Sequence, residues 1–385
     1  MAADPNARTE GEGVERAVTP LELFFDLVFV FALTQVTGLM SEDPTWAGLG
    51  RGLLVLAALW WTWGAYAWLT NEIDPEEGSS RLAVLGAMGA MFVAALAVPH
   101  AFGDDGVLFG VAYLVVRLLH IVLFSEATPN MDVHEAAVRL ARTAVPAPVL
   151  LVVAGFLDGG AQIAVWVVAL AIDYSGPYVF GVRGFSVSAD HFAERYGLVV
   201  IIALGESIVA IGIGAAGIEL SASVVLSALL GVALASSLWW AYFDVVARVA
   251  RRKLVEARGH DRARLARDAF SYLHLPMFAG IVLVALGAKK VLGHLDEPLE
   301  TVPAFALCGG VAVFLLAHDA IRLRNVGTVN SRRILAALVI LALVPVATRV
   351  DALAALALVT AVCAALITYE TVRFREARAS IRTAG

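Results

Sequence analysis

Apolar runs of about twenty residues, the length a helix needs to cross a hydrocarbon core, recur throughout this chain. Only short polar breaks separate them. The chain is 60% hydrophobic and 16% charged over 385 residues. A soluble domain carries roughly 45–50% apolar and 25% charged residues, so that class is excluded. The expected fold is an all-α integral membrane protein.

Twelve spans are expected. The first six fall at about 21–40, 48–69, 82–101, 107–125, 138–157 and 162–181. The second six fall at about 198–217, 223–246, 269–288, 302–321, 333–349 and 352–371. The tail through Arg16 is polar and acidic, with no basic stretch or small-residue cleavage site. The first run therefore reads as a retained span. Pro345, Arg349 and Asp351 make the last two the least regular.

Loop charge tests the count. With twelve spans, both tails and the loops after even spans share one side. That side holds Arg8, Arg16, Arg81, Arg139, Arg142, Arg183, Arg195, an arginine cluster from Arg248 to Arg267, Arg322, Arg324, Arg332, Arg333 and the C-terminal arginines. The other side holds Arg51, Lys289, Lys290 and Arg349. Basic loops stay in the cytoplasm, which places both termini there. The basic stretch at about 247–268 reads as a cytoplasmic amphipathic segment drawn to anionic headgroups.

The two halves echo each other. Glu22-Leu-Phe-Phe-Asp26 leads into one apolar helix, and Glu194-Arg-Tyr-Gly leads into another that ends Gly205-Glu206-Ser207. With one residue skipped, Leu27, Ala32, Leu33 and Gln35 fall on Leu198, Ala203, Leu204 and Glu206. Leu-Trp-Trp follows each copy, at Leu59 and Leu238, and Arg-Leu-Ala follows that, at Arg81 and Arg264. Such an order points to an internal duplication. The expected organisation is a tail at 1–19, a six-helix repeat at 20–181, a linker at 182–197, a second repeat at 198–372 and a tail at 373–385. Six spans restore the starting orientation, so the repeats are expected to be parallel, about an axis along the membrane normal.

Ionisable groups inside spans cost a few kcal/mol and usually face a bundle interior or cavity. Glu206 and Asp173 lie near the middle of their spans, Arg117 and His120 in the fourth, Glu22 and Asp26 in the cytoplasmic third of the first. Asp244 and Asp319 fall near cytoplasmic ends, within reach of water. Glu206 follows Gly205 and precedes Gly212, Gly214 and Gly217, a face that lets a helix or a hydrated path come close. It reads as a proton or cation site with Ser207 and Gln35 as neutral ligands, or as a clamp with Arg117. Glu22 and Asp26 share a helix face. Glu22 reads as a helix-start cap beside Thr19-Pro20, and Asp26 as the functional member. His191 and Glu194 share a face without a third ligand, which favours a helix-entry network with Asp190 as N-cap over a metal site. The tryptophan pairs read as packing or interface residues, and Cys308 and Cys363 as buried apolar fillers.

No His-Glu-x-x-His, phosphate-cradling glycine loop or nucleophile–base pair is present, so no catalytic residue, metal or cofactor is expected. Nothing suggests nucleic acid.

The stretches Thr19-Pro-Leu-Glu-Leu-Phe-Phe-Asp-Leu-Val-Phe-Val-Phe-Ala-Leu-Thr-Gln35 and His191-Phe-Ala-Glu-Arg-Tyr-Gly through Gly205-Glu-Ser-Ile-Val-Ala-Ile211 resemble the two signatures of the bacterial low temperature requirement protein A (LtrA) family. The resemblance implies a multispanning inner-membrane protein linked to growth in the cold, without an assigned biochemical activity. It carries over to Glu22, Phe25, Asp26, His191, Glu194, Arg195, Gly205, Glu206 and Ser207. A fainter resemblance is to two-repeat potassium channels with Phe-Ser-Asp on the first helix of each repeat. Phe25-Asp26 lacks that serine.

The expected function is a transporter or channel for a small solute or cation, proton-coupled through Glu206 and Asp26. The expected pathway is Asp26, Gln35, Arg117, Asp173, Glu206 and Ser207. Glu22, Phe25, His191, Glu194, Arg195 and Gly205 are expected to gate or support it. The alternative is a scaffold or lipid-modifying enzyme acting in cold adaptation. The expected partners are the lipid bilayer and a small solute; homo-oligomerisation stays open.

Overall fold

The structure is a computed structural model that describes residues 17–126, 131–182, 185–216, 219–376 and 378. Arg8, Arg16, Arg183, Gly217 and residues 379–385 lie outside it. The chain is 85% helix, with no strand among the described residues. The first half runs α1 (Pro20–Glu42), α2 (Trp46–Glu72), α3 (Gly78–Ala97), α4 (Gly106–Glu126), α5 (Met131–Ala144), α6 (Pro146–Ala154) and α7 (Gly159–Val179). The second runs α8 (Ala189–Ala215), α9 (Ala222–Ala241), α10 (Ala247–Glu256), α11 (Gly259–Leu265), α12 (His274–Gly293), α13 (Thr301–Val326), α14 (Ser331–Ala342), α15 (Val344–Ala347) and α16 (Ala352–Arg373).

Ten helical stretches among the described residues are long and apolar enough to cross a bilayer. They match the expected spans except the fifth and eleventh. Those two are broken, the fifth into α5 and α6 at Val145-Pro146, the eleventh into α14 and α15 at Leu343-Val344-Pro345. A proline ring removes an N–H and clashes with the preceding turn, so each apolar run is hinged where its proline enters. The expected basic loop at 247–268 is also different. α9 continues through a π-helical turn (Tyr242–Val246) into α10, and α11 returns through a second one (Ala266–Tyr272) into α12. α10 is amphipathic, but its apolar face, with Ala250 and Leu254 buried, packs on α8 and α13. Protein covers the face expected to meet lipid headgroups.

Within each half the packing order corresponds. α1 lies against α2 and α3, α3 against α4, and α4 against α6. α8 lies against α9 and α12, α12 against α13, and α13 against α14. α7 touches α2 as α16 touches α9. The tightest crossing is α12 on α13, where two glycines meet. A Cβ on Gly280 would lie 2.6 Å from the Gly310 carbonyl oxygen, and one on Gly310 would lie 2.8 Å from that of Gly280. Small residues let helices approach this closely in lipid, where dispersion contact replaces the hydrophobic drive. Gly280→Val is expected to lower stability by about 1–3 kcal/mol through overpacking against backbone that cannot yield, read as a lower unfolding temperature in detergent.

Candidate functional site

α1 and α8 run side by side in the same direction, so polar residues near their starts meet each other and those farther along meet in turn. At the starts lies a closed ionic network. Thr19 caps α1: its Oγ1 accepts the Glu22 N–H at 3.3 Å while the Glu22 carboxylate accepts the Thr19 N–H at 2.8 Å. The same carboxylate receives Arg195 Nη1 at 2.7 Å and lies 3.1 Å from His191 Nε2. Arg195 Nη2 donates to Asp26 Oδ1 at 2.8 Å, and Trp63 Nε1 donates to that oxygen at 2.8 Å. Glu22, Asp26, Trp63, His191 and Arg195 are all buried. Phe25 closes one side, its ring stacked 4.8 Å from Tyr66.

Glu22 is therefore a cap and an ion-pair member at once. Asp26 is held by two donors and exposes none of its surface. Asp190 is not the N-cap of α8, which is Ser188; Asp190 sits in the first turn and pairs with Arg251 on α10 at 2.6 Å. Glu194 is exposed, apart from His191, in an open groove with Trp239 and Trp240. Trp63 was legible only as packing, yet it is a donor to Asp26. Trp63→Phe keeps an aromatic ring but removes that donor and part of the buried indole volume, so stability is expected to fall by at least about 1.5–3 kcal/mol, the worth of a hydrogen bond to a charged group, with a cavity cost added. Thermal unfolding of the purified variant measures it.

Farther along the same contact, Thr34 Oγ1 donates to Glu206 Oε2 at 2.7 Å. Glu206 Oε1 and the neighbouring buried Ser207 hydroxyl have no hydrogen-bond partner among the described residues. No ion pair to Glu206 is present among the described residues. Gln35 is half-buried one residue beyond Thr34. A Cβ on Gly205 or Gly212 would meet nothing within 4 Å, so these glycines do not admit a close helix; Gly214 alone packs tightly, on Leu292. Gly205 is half-buried and Gly212 exposed, so the room at these glycines lies toward the outer surface of α8.

Arg117 and Asp173 form a third cluster, away from Glu206. Arg117 Nη2 donates to Asp173 Oδ1 at 2.7 Å and Tyr113 donates to Oδ2 at 3.2 Å. Both ionic groups border an internal cavity of about 80 Å³, with His120, Trp60, Trp61 and Trp68 around it. That is space for about three waters. The clamp between Arg117 and Glu206 is absent.

Sequence reasoning missed a fourth cluster, in the second half. Arg333 grips Glu370 through Nε at 3.0 Å and Nη2 at 2.9 Å, and its Nη1 lies 3.1 Å from His318 Nδ1. Asp319 does not reach for water: it is buried and accepts the Asn330 N–H at 2.6 Å. Asp244 pairs with Arg378. Cys308 and Cys363 are buried free thiols. Among the described residues, no group of three or more His, Cys, Asp or Glu side chains is placed to hold a metal.

Ten apolar helices with ionic groups turned inward define a multispanning α-helical membrane protein. The family model for the bacterial low temperature requirement A protein (LtrA) matches residues 17–368, which takes in both α1 and α8 motifs. The chain belongs to the LtrA family. It is 31% identical over 324 residues to an uncharacterized protein of Rhizobium meliloti (strain 1021), covering 80% of this chain and 77% of the relative. No solved structure matches it.

Proposed function

We propose that this LtrA-family protein transports a small solute or cation across the bacterial inner membrane, coupled to protons through Glu206. Glu206 carries the reading. It is a buried carboxylate at the contact between the two halves, satisfied on one oxygen only and without the ion pair that holds Glu22, Asp26 and Asp173. An isolated carboxylate at this depth costs several kcal/mol, and such residues mark ion and proton paths. In this reading Asp26 belongs to the fixed lock at the inner mouth, and Glu206 with Ser207 takes the proton or ion. The reading assigns no enzymatic step, and a role in growth at low temperature stays part of it.

The proposed membrane arrangement is twelve crossings in two parallel sixes with both termini cytoplasmic. Support comes from the matched packing order, the parallel α1 and α8, and the proline break in the fifth member of each half. Interrupted helices at corresponding positions are where transporters of this design hold substrate. A flux assay on proteoliposomes, comparing the unaltered chain with Glu206→Gln, tests the proposal. The buried Arg117–Asp173 and Arg195–Glu22–Asp26 pairs favour a second reading, a rigid scaffold, which predicts no flux from either protein.

A further inference from the structure

Each half holds a pocket in the same place. In the first half it lies between α2, α4, α5 and α7; in the second, between α10, α13, α14 and α16. Each borders a buried histidine of the fourth span, His120 or His318, facing a tyrosine of the second, Tyr66 at 5.5 Å or Tyr242 at 5.8 Å. Each borders an arginine–carboxylate pair, Arg117–Asp173 or Arg333–Glu370. Their chemistry has diverged. The first is small and largely aromatic; the second is about 550 Å³ and lies at the end of the molecule where α13 and α16 finish.

We infer that the second pocket binds the phosphate headgroup of an anionic phospholipid. Its lining is rich in cations: Arg252 and Lys253 pair with Glu256, Arg333 with Glu370 and Arg378 with Asp244, while Arg322 and Arg332 at its rim have no carboxylate ion pair among the described residues. The floor supplies a donor. Arg333 can only donate, so His318 Nδ1 accepts and Nε2 carries the hydrogen. The His318 side chain is buried and lines the pocket, and its Nε2 has no partner among the described residues. A phosphate oxygen is the acceptor it lacks, and basic pockets between helices on the cytoplasmic side suit such headgroups. Val326 and Val329, 44% and 52% exposed, line the same pocket and give acyl chains an apolar exit that free phosphate would not use.

The test is native mass spectrometry of the full chain in detergent, titrated with phosphatidylglycerol or phosphatidylcholine. The unaltered chain is expected to retain phosphatidylglycerol preferentially. Arg322→Ala with Arg332→Ala is expected to weaken that retention about thirtyfold, near fivefold for each cation lost. Arg322→Lys with Arg332→Lys is expected to keep most of it, which separates lost charge from misfolding. Equal weakening by Arg258→Ala with Arg264→Ala, exposed cations at the same end outside the pocket, would overturn the site in favour of diffuse attraction. So would retention unchanged by the alanine pair. Competition by glycerol 1-phosphate at the lipid's own concentration would overturn the lipid assignment and make the ligand a soluble phosphate.

Discussion

Proteoliposomes holding Glu206→Gln are expected to lose about a hundredfold in proton-coupled flux, the lower end of what removing a positioned proton-transfer group costs. Glutamine keeps the shape and can still accept the Thr34 hydroxyl, which donates to Glu206 at 2.7 Å. It can neither bind nor release a proton. Fold and function therefore separate in this variant: the unfolding temperature should stay within a few degrees of the parent while flux collapses. Glu206→Asp retracts the carboxylate from Thr34 and should leave an intermediate flux. If the unaltered protein moves a solute and Glu206→Gln moves it equally fast, the coupling role of Glu206 is wrong.

The second large effect is structural. Arg195→Leu strands two buried carboxylates, Glu22 and Asp26, whose shared guanidinium lies 2.7 and 2.8 Å away. Breaking a buried pair by removing one partner costs about 3–5 kcal/mol, because the remaining charge stays desolvated. Adding Glu22→Gln and Asp26→Asn to Arg195→Leu should recover most of the loss, since no uncompensated charge remains. Thermal unfolding of the single and triple variants measures both steps. A triple variant no more stable than the single one would mean that the network acts through packing and not through charge.

How much of this was legible follows from what each signal encodes. Hydropathy located ten spans because length and apolarity are local properties. It also read straight through Pro146, whose effect is on backbone geometry and leaves the apolar average intact; at Pro345 the neighbouring Arg349 and Asp351 made the irregularity visible. Burial cost picked out Glu22, Asp26, Arg117, Asp173 and Glu206, since a charge in an apolar run is visible without a fold. Their partners were not visible. The register between α1 and α8 decides whether Thr34 or Gln35 faces Glu206, and one residue is a 100° turn of the helix. Arg333 read only as one of the cytoplasmic basic residues and Glu370 was not singled out, because the sequence does not show that α13, α14 and α16 converge over them.

The ionic lock between α1 and α8 bears on how the chain is made. Glu22 and Arg195 are 173 residues apart, so synthesis at ~5–20 residues per second separates them by roughly 10–35 s. During that interval the first helix presents two carboxylates to the membrane without the Arg195 guanidinium that pairs with them. It must be sheltered from lipid, in the insertion machinery or against α2, until α8 arrives to neutralise it. The halves are thus not interchangeable modules: separately expressed, the first would carry unanswered negative charge and the second an unanswered arginine, and each would be degraded unless the other reached it in time.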